Sequence, residues 1–234
     1  GNNTGDQDLS PYATKAATLD QFADVTQTSG KTVAITGNIT LAAGSSAGAA
    51  LGTTSLATGL TNDINVTAGG SLTMTPSAGA GTRIGSRAVD VQAGTISVST
   101  GGDITLNSGA GANVAGIRTL GNVTLTSGGA IVEGVDSAIV ANLLTATANG
   151  GGILLDSTAN QVNTLNASVP FFNSGDILFT NSPGTLLTVS NLLMAGSSTK
   201  ARITADDMDL SGTVSNVGGL VILRPLDLAR NVHI

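Results

Sequence analysis

The stretch GGDITLNSG, residues 101–109, places one short alternating segment between glycines. Ile104 and Leu106 occupy every second position, while Asp103 and Thr105 occupy the positions between them. Because side chains along a β-strand point alternately to its two faces, this pattern predicts a short strand with one buried and one solvated face. The flanking glycines favour turns at both ends of the strand.

The same pattern returns along the chain, each time after a glycine. It reads GNITL, GSLTM, GTISV, GNVTL and GDILF, and further alternating segments such as LLTATA and VNTLNASV lie between these marks. One strand type that recurs with loops of varying length is typical of a solenoid, in which each coil of chain stacks on the next. The residues predicted to face the core are Ile39 and Leu41, Leu72 and Met74, Ile96 and Val98, Val123 and Leu125, and Ile177 and Phe179.

Composition agrees with a strand-rich fold that has a thin core. Of the 234 residues, 41% are apolar, but there is no Trp, one Tyr and four Phe, so burial has to come from Ile, Leu, Val, Ala and Thr. The 32 glycines are spread along the chain, which indicates frequent turns rather than a collagen or a flexible linker. The sequence therefore predicts an all-β protein.

Charge and cysteine content argue against several classes of protein. The net charge is -6 and the nine Lys and Arg residues are scattered singly, so there is no basic footprint for a nucleic acid. No apolar run approaches the roughly 18 residues of a membrane-spanning helix. The absence of Cys excludes disulfides and thiolate chemistry but leaves the compartment open. No leader pattern is visible, so we expect any signal peptide to have been removed or to lie outside this stretch.

The first 30 residues form a separate segment in this interpretation. Within residues 13–25, Leu19 and Phe22 recur at helical spacing. Residues 1–30 are therefore either an N-terminal cap, which would cover the unpaired strand groups at the end of a solenoid, or an irregular first coil. Residues 31–234 are assigned to the solenoid repeats.

Catalytic and metal-binding motifs were weighed against ordinary structural roles. The single histidine, His233, is placed at an outward strand position rather than in a catalytic constellation. Asp206, Asp207 and Asp209 could form a calcium site or an acid pair, but Met208 alternates inward between two of them, which favours solvent-facing carboxylates. Neither a calcium-binding nonapeptide nor an EF-hand pattern is found. We therefore predict no catalytic residue, no metal site, no cofactor and no enzyme activity.

Two longer stretches resemble a known family. Residues 150–189, GGGILLDSTANQVNTLNASVPFFNSGDILFTNSPGTLLTV, are similar to the repeats of filamentous-haemagglutinin-type adhesins, where a G-x-I-x-L strand precedes an N-x-V-x-x-L segment, here Asn160, Val162 and Leu165. Residues 203–234, ITADDMDLSGTVSNVGGLVILRPLDLARNVHI, are similar to the way such repeats end. The resemblance covers residues 31–234.

The resemblance implies a fold, a location and partners. Members of that family are right-handed parallel β-helices that an outer-membrane transporter exports, and they serve as adhesive fibres at the bacterial surface or outside the cell. At roughly 20 to 25 residues per coil, the chain would form about ten coils and a rod about 50 Å long. The family's N-P-N-G secretion segment is not found, so we expect either an internal stretch of a longer shaft or a variant with a different export route. A receptor or glycan on a host or neighbouring cell would be the adhesive partner.

Three other functions stay open at this stage. A self-assembling fibre subunit would stack end to end through its first and last coils. A polysaccharide-processing β-helix enzyme would need acids and arginines, among them Arg83, Arg87 and Arg118, to converge in one groove. Ice binding would need outward threonines in a regular ladder, which the irregular sequence intervals do not predict. Asn160 is predicted to sit at a coil corner, where either a left-handed backbone conformation or side-chain bonding to the backbone is useful.

Overall fold

The computed structural model describes residues 31–52, 63–86, 94–111, 113–170, 175–196, 199–216 and 219–227. This part of the chain contains nineteen β-strands and no helix. Residues 1–30, including the helical candidate 13–25, lie outside it. The strands are β1 Lys31–Ile35, β2 Ile39–Ala42, β3 Ala49–Gly52, β4 Ile64–Ala68, β5 Leu72–Thr75, β6 Thr82–Gly85, β7 Ile96–Thr100, β8 Ile104–Leu106, β9 Ala115–Arg118, β10 Asn122–Ser127, β11 Ile131–Glu133, β12 Ala138–Ala148, β13 Ile153–Leu155, β14 Gln161–Val169, β15 Ile177–Thr180, β16 Leu186–Met194, β17 Lys200–Thr204, β18 Asp207–Asn216 and β19 Leu220–Arg224.

The strands form two sheets, and within each sheet every pair of neighbouring strands is parallel. The first sheet has eleven strands and runs β1-β4-β7-β10-β12-β14-β16-β18, with a branch β3-β6-β9 that joins at β12. The second has eight and runs β2-β5-β8-β11-β13-β15-β17-β19. Neighbours in a sheet are never consecutive in sequence, so the chain passes from one sheet to the other and returns one layer further along. This arrangement is compatible with a β-helix, and it confirms the all-β, parallel prediction.

The amount of chain per layer shrinks along the stack. Residues paired in the second sheet are 33 and 32 positions apart at the start, then 27, 22, 24, 24 and 20 positions apart. In the early layers part of the chain forms the separate strands β3, β6 and β9. In contrast, the single long strand β12 pairs with β9 through its first residues and with β10 through its later ones. The strands β14, β16 and β18 are long in the same way, so these layers need fewer residues.

The predicted alternation holds in the six strands for which the sequence names inward residues, but it slips in VNTLNASV of β14, where Val162 and Leu165 are both buried three positions apart. All twelve residues predicted to face inward, Ile104 and Leu106 of β8 among them, are at most 2% exposed. They belong to one continuous core built of Ile, Leu, Val, Ala and Met side chains with a single Phe. Because no layer can bury its apolar face alone, stacking is what forms this core.

Glycine pairs make the turns from the first sheet into the second. Backbone bonds connect these turns from layer to layer: Gly101 N donates to Ala68 O over 2.9 Å, and Gly102 N to Gly70 O over 3.0 Å. A Cβ added at Gly101 would overlap the carbonyl oxygen of Gly69, and one at Gly128 would overlap that of Gly101. At these stacked turns glycine is therefore required by the close approach of one backbone to the next.

Candidate functional site

The outer surface of the first sheet carries two columns of small polar side chains, which we call the hydroxyl face. The parallel register places one outward residue of each strand directly above its equivalent in the next. Fourteen of the sixteen positions are Thr, Ser or Asn. The first column is Thr32, Asn65, Ser97, Thr124, Thr145, Asn166, Asn191 and Thr213; the second is Ala34, Thr67, Ser99, Thr126, Thr147, Ser168, Leu193 and Ser215.

The chemistry of the hydroxyl face is uniform. None of its sixteen positions is charged or aromatic, although the chain as a whole is acidic. Amides along it bond each other: Asn191 Nδ2 donates to Asn166 Oδ1 over 3.1 Å, and beside the columns Asn163 Nδ2 donates to Asn142 Oδ1 over 3.3 Å. Such a surface donates and accepts hydrogen bonds without charge and offers no aromatic stacking platform.

The outer surface of the second sheet changes along the stack. Its central outward column begins with threonines, continues with three apolar residues and ends with Arg202 and Ile222. Two ion pairs flank the later part, Arg202 with Asp156 and Lys200 with Asp176, each at 3.6 Å. This surface is therefore less uniform than the hydroxyl face. The column is Thr40, Thr73, Thr105, Val132, Leu154, Leu178, Arg202 and Ile222.

A carboxyl group is buried at the corner that follows β11. Glu133 occupies an inward position in register with Leu106 of β8, and it is 6% exposed. Its Oε1 accepts hydrogen bonds from the backbone N–H of Ser157 at 2.8 Å and from Nδ2 of Asn160 at 2.5 Å. Its Oε2 is buried and has no hydrogen-bond partner among the residues that the structure describes. We call Glu133, Ser157 and Asn160 the acid corner.

Burial controls the protonation of this corner. Loss of solvation raises the pKa of Glu133 to about 8; the hydrogen bonds from Asn160 and Ser157 oppose the shift, and the negative charge of Asp156 adds to it. At neutral pH the group is therefore mainly a neutral carboxylic acid. No basic side chain of the described residues forms an ion pair with it.

Asn160 joins three layers of the stack. The side chain is fully buried; Oδ1 accepts a hydrogen bond from Ile139 N at 2.7 Å, and Nδ2 also donates to Thr180 O at 3.2 Å. In the next layer, the buried Asn181 both accepts from and donates to the backbone of Val162 at 2.9 Å. Of the two roles predicted for Asn160 at a corner, side-chain bonding to the backbone is confirmed. Glu133 and Asn181 were not identified from the sequence. The alternation of the segment IVE, residues 131–133, places Glu133 on the same side as Ile131, and this was a visible sign of an inward carboxyl group.

The aspartates of residues 206–209 do not form a cluster directed at one point. Asp207 and Asp209 are exposed, Met208 between them is 8% exposed, and Asp206 is buried with its Oδ1 accepting from Asp227 N at 2.8 Å. Within the described residues, no group of three or more His, Cys, Asp or Glu could hold a metal ion. His233 lies outside those residues.

The arginines considered for an enzyme groove are only partly described. Arg83 lies in β6 and Arg118 in the adjacent β9, two positions apart in register, and Arg87 lies outside the described residues. Burial lowers the pKa of Arg118.

Two further findings bear on the nature of the chain. No helix in the described ranges is long and apolar enough to cross a membrane. Comparisons with protein-family models, with curated proteins and with solved structures each find no match to this chain. The likeness to filamentous-haemagglutinin-type repeats is therefore carried by the residues of the two stretches 150–189 and 203–234 alone.

Proposed function

We propose that this chain is a structural and adhesive β-solenoid, a right-handed parallel β-helix of about ten coils that forms part of the shaft of a bacterial adhesin at the cell surface or outside the cell. The stacked parallel sheets and the family resemblance support this proposal. No enzyme activity is part of it. Export through an outer-membrane transporter would follow from the same resemblance.

The mechanical role rests on the stacking. Each layer hydrogen-bonds the next along both sheets and shares one apolar interior with it. At a strand spacing of about 4.8 Å, ten coils extend about 50 Å, so the chain holds its partners at a distance with little mass. The small side chains of the core suit strands stacked so closely.

The hydroxyl face is the observation that carries the adhesive role. Its columns are aligned by the register, uncharged and rich in hydroxyl and amide groups over the whole height of the described stack. A neutral, hydroxyl-rich glycan offers matching donors and acceptors, and binding it requires no desolvation of charged side chains. We therefore assign the contact with a cell-surface glycan to this face.

A pair of charges placed on the hydroxyl face tests this assignment. Thr126 and Thr147 are neighbours in register, so T126K/T147K should lower retention on arrays of neutral polysaccharide by about tenfold or more. The matched control T73K/T105K places two lysines, also neighbours in register, on the second sheet and should leave retention unchanged. Circular dichroism of both variants reports folding. Equal retention of both variants, or no retention of the unaltered chain on any neutral polysaccharide, would refute the adhesive role.

End-to-end assembly is the second candidate. Among the described residues, the last layer leaves apolar side chains open: Val214 is 38% and Leu220 59% exposed, and the inward Val221 and Leu223 are half-buried. Parallel strand edges with an open core are a template for pairing with another copy. Electron microscopy at increasing concentration separates the candidates: rods about 50 Å long at every concentration support the single shaft, and filaments that lengthen support the fibre.

A further inference from the structure

We propose that the acid corner is a pH-sensitive joint: the corner is closed while Glu133 carries a proton, and loss of that proton opens the turn 134–137 beside it. This inference concerns the shaft itself and does not depend on what the shaft binds. It rests on three features of the corner, namely the position of the carboxyl group, its hydrogen bonds and the turn that covers it.

The position of Glu133 is one that the rest of the sheet gives to apolar residues. The equivalent residue in the preceding layer is Leu106, and the corresponding inward position in the next strand is Leu155, both fully buried. A carboxylate in such a column loses its hydration, whereas a carboxylic acid loses far less. The neutral form therefore fits this site.

The hydrogen bonds indicate which oxygen holds the proton. Oε1 already accepts from Ser157 N and from Asn160 Nδ2. Oε2 receives no hydrogen bond, so a proton there displaces no donor. When that proton leaves, Oε2 becomes a buried anionic oxygen without a partner. Admitting water to the corner then lowers the free energy, because water can donate a hydrogen bond to this oxygen.

The surrounding charges do not compensate an ionised Glu133. Of the elements packed around the corner, β8, β12, β14 and β15 carry no ionisable side chain. Asp156 follows β13 and pairs with Arg202 at 3.6 Å, while Asp136 in the turn is exposed. Arg118 lies at the end of β9, which pairs with β12. The negative charge of Asp156 opposes ionisation of Glu133, and burial raises the pKa of Glu133 to about 8.

In this proposal the turn 134–137 is the element that moves. It is held by Gly134 N donating to Leu106 O at 2.7 Å, by Ser137 Oγ donating to Asn107 O at 3.1 Å and by Ser157 Oγ donating to Val135 O at 2.8 Å. The Val135 side chain is 71% exposed. Water that reaches Oε2 has to displace this turn or the adjoining Ser157 segment. Asn160 bonds Ile139 N and Thr180 O, so opening would weaken the link between three layers.

The direction of the effect follows from the raised pKa. The closed state binds the proton more tightly than the open state, so closure is strongest below the ordinary Glu pKa of 4.5 and is lost as the pH rises from there through about 8. Within that window the ratio of the closed to the open population should fall by up to about tenfold per pH unit.

Hydrogen exchange of the whole chain tests the joint. Mass spectrometry measures the exchange rates of the amides of residues 131–139 and 153–162 between pH 6 and 9. Each measured rate is divided by the intrinsic rate of the exposed amide, which gives the opening constant. The opening constant should rise by up to about tenfold per pH unit in the unaltered chain and stay flat in E133Q, whose amide mimics the neutral acid. The matched control D156N removes a neighbouring exposed carboxylate and should keep the rise.

Direct titration covers the case in which E133Q does not fold. The carboxyl carbon of Glu133 is followed by carbon NMR in the unaltered chain, where its midpoint should lie well above 4.5. A midpoint near 4.5 overturns the joint, as does an opening constant that is independent of pH in the unaltered chain or equally dependent on pH in E133Q.

Discussion

At the scale of single residues, the close approach of backbones in neighbouring layers limits which residue types the turns can accept. Gly101 donates its N–H to Ala68 O over 2.9 Å, and a Cβ in its place would overlap the carbonyl oxygen of Gly69. We expect G101A to lower the free energy of unfolding by about 2 kcal/mol, because the turn has to move away from the layer before it. Urea denaturation followed by circular dichroism measures this loss.

A second glycine in the same family of turns provides the control. A Cβ at Gly37 meets no atom of the described residues within 4 Å, so G37A should change the free energy of unfolding by less than about 0.5 kcal/mol. Both variants lose the same backbone freedom in the unfolded chain. If G37A is as destabilising as G101A, the cost comes from the loss of glycine itself and not from the close approach.

Residue-level patterns were predictable where the hydrophobic period alone decides the outcome. The inward side of Ile104 and Leu106 follows from alternation and is confirmed. Glu133 obeys the same period, but nothing in the sequence says that a charged residue type will be accepted inward. Its acceptance depends on donors from Ser157 and Asn160, which are 24 and 27 positions away and meet it only through stacking.

At the scale of the strand, the residue after the turn glycine has, in three successive layers, a role that the sequence did not disclose. Asn38 Oδ1 accepts from Ser71 N at 2.8 Å, Ser71 Oγ from Asp103 N at 3.0 Å, and Asp103 Oδ1 from Ala130 N at 2.7 Å. These side chains form a ladder that satisfies one backbone N–H of each following layer. The motif of glycine followed by Asn, Ser or Asp is explained by this requirement.

The ladder predicts different outcomes for two substitutions of Asp103. D103A removes the acceptor of Ala130 N and should lower the free energy of unfolding by about 1 kcal/mol. D103N keeps an Oδ1 at the same place and should retain most of the stability, which distinguishes the hydrogen bond from the charge. Thermal unfolding at low and high salt measures both variants. Equal losses in D103A and D103N would mean that the charge matters and the ladder does not.

The sequence predicts where the strands lie, but it does not predict which residues of neighbouring strands pair. The alternating segments identified the strands, including LLTATA and VNTLNASV, which the structure extends into β12 and β14. The register was hidden, because paired residues are between 20 and 33 positions apart, depending on how much chain each corner takes up. The aligned hydroxyl face follows from that register and could not be seen in the irregular intervals.

At the scale of the whole molecule, the stack is a one-dimensional array in which each layer contacts only its neighbours. Inner strands such as β13 have a partner on each side and fully buried inward residues. At the C-terminal end of the described stack, β19 pairs with β17 alone, and its Leu220 is 59% exposed. In such arrays the end layers open before the centre, because they give up one interface instead of two.

Hydrogen exchange should therefore show a gradient of protection along the stack. At about pH 5, where Glu133 is protonated and the acid corner is closed, amides of β13 and β15 should exchange at least about a hundredfold more slowly than those of β19 after correction for intrinsic rates. V221S, which weakens an inward contact of the last strand, should steepen the gradient at β17 and β19 and leave β5 and β8 unchanged. Uniform protection across these strands, lost in one step, would instead show that the layers unfold as a single cooperative unit and that the nearest-neighbour description does not apply to this chain.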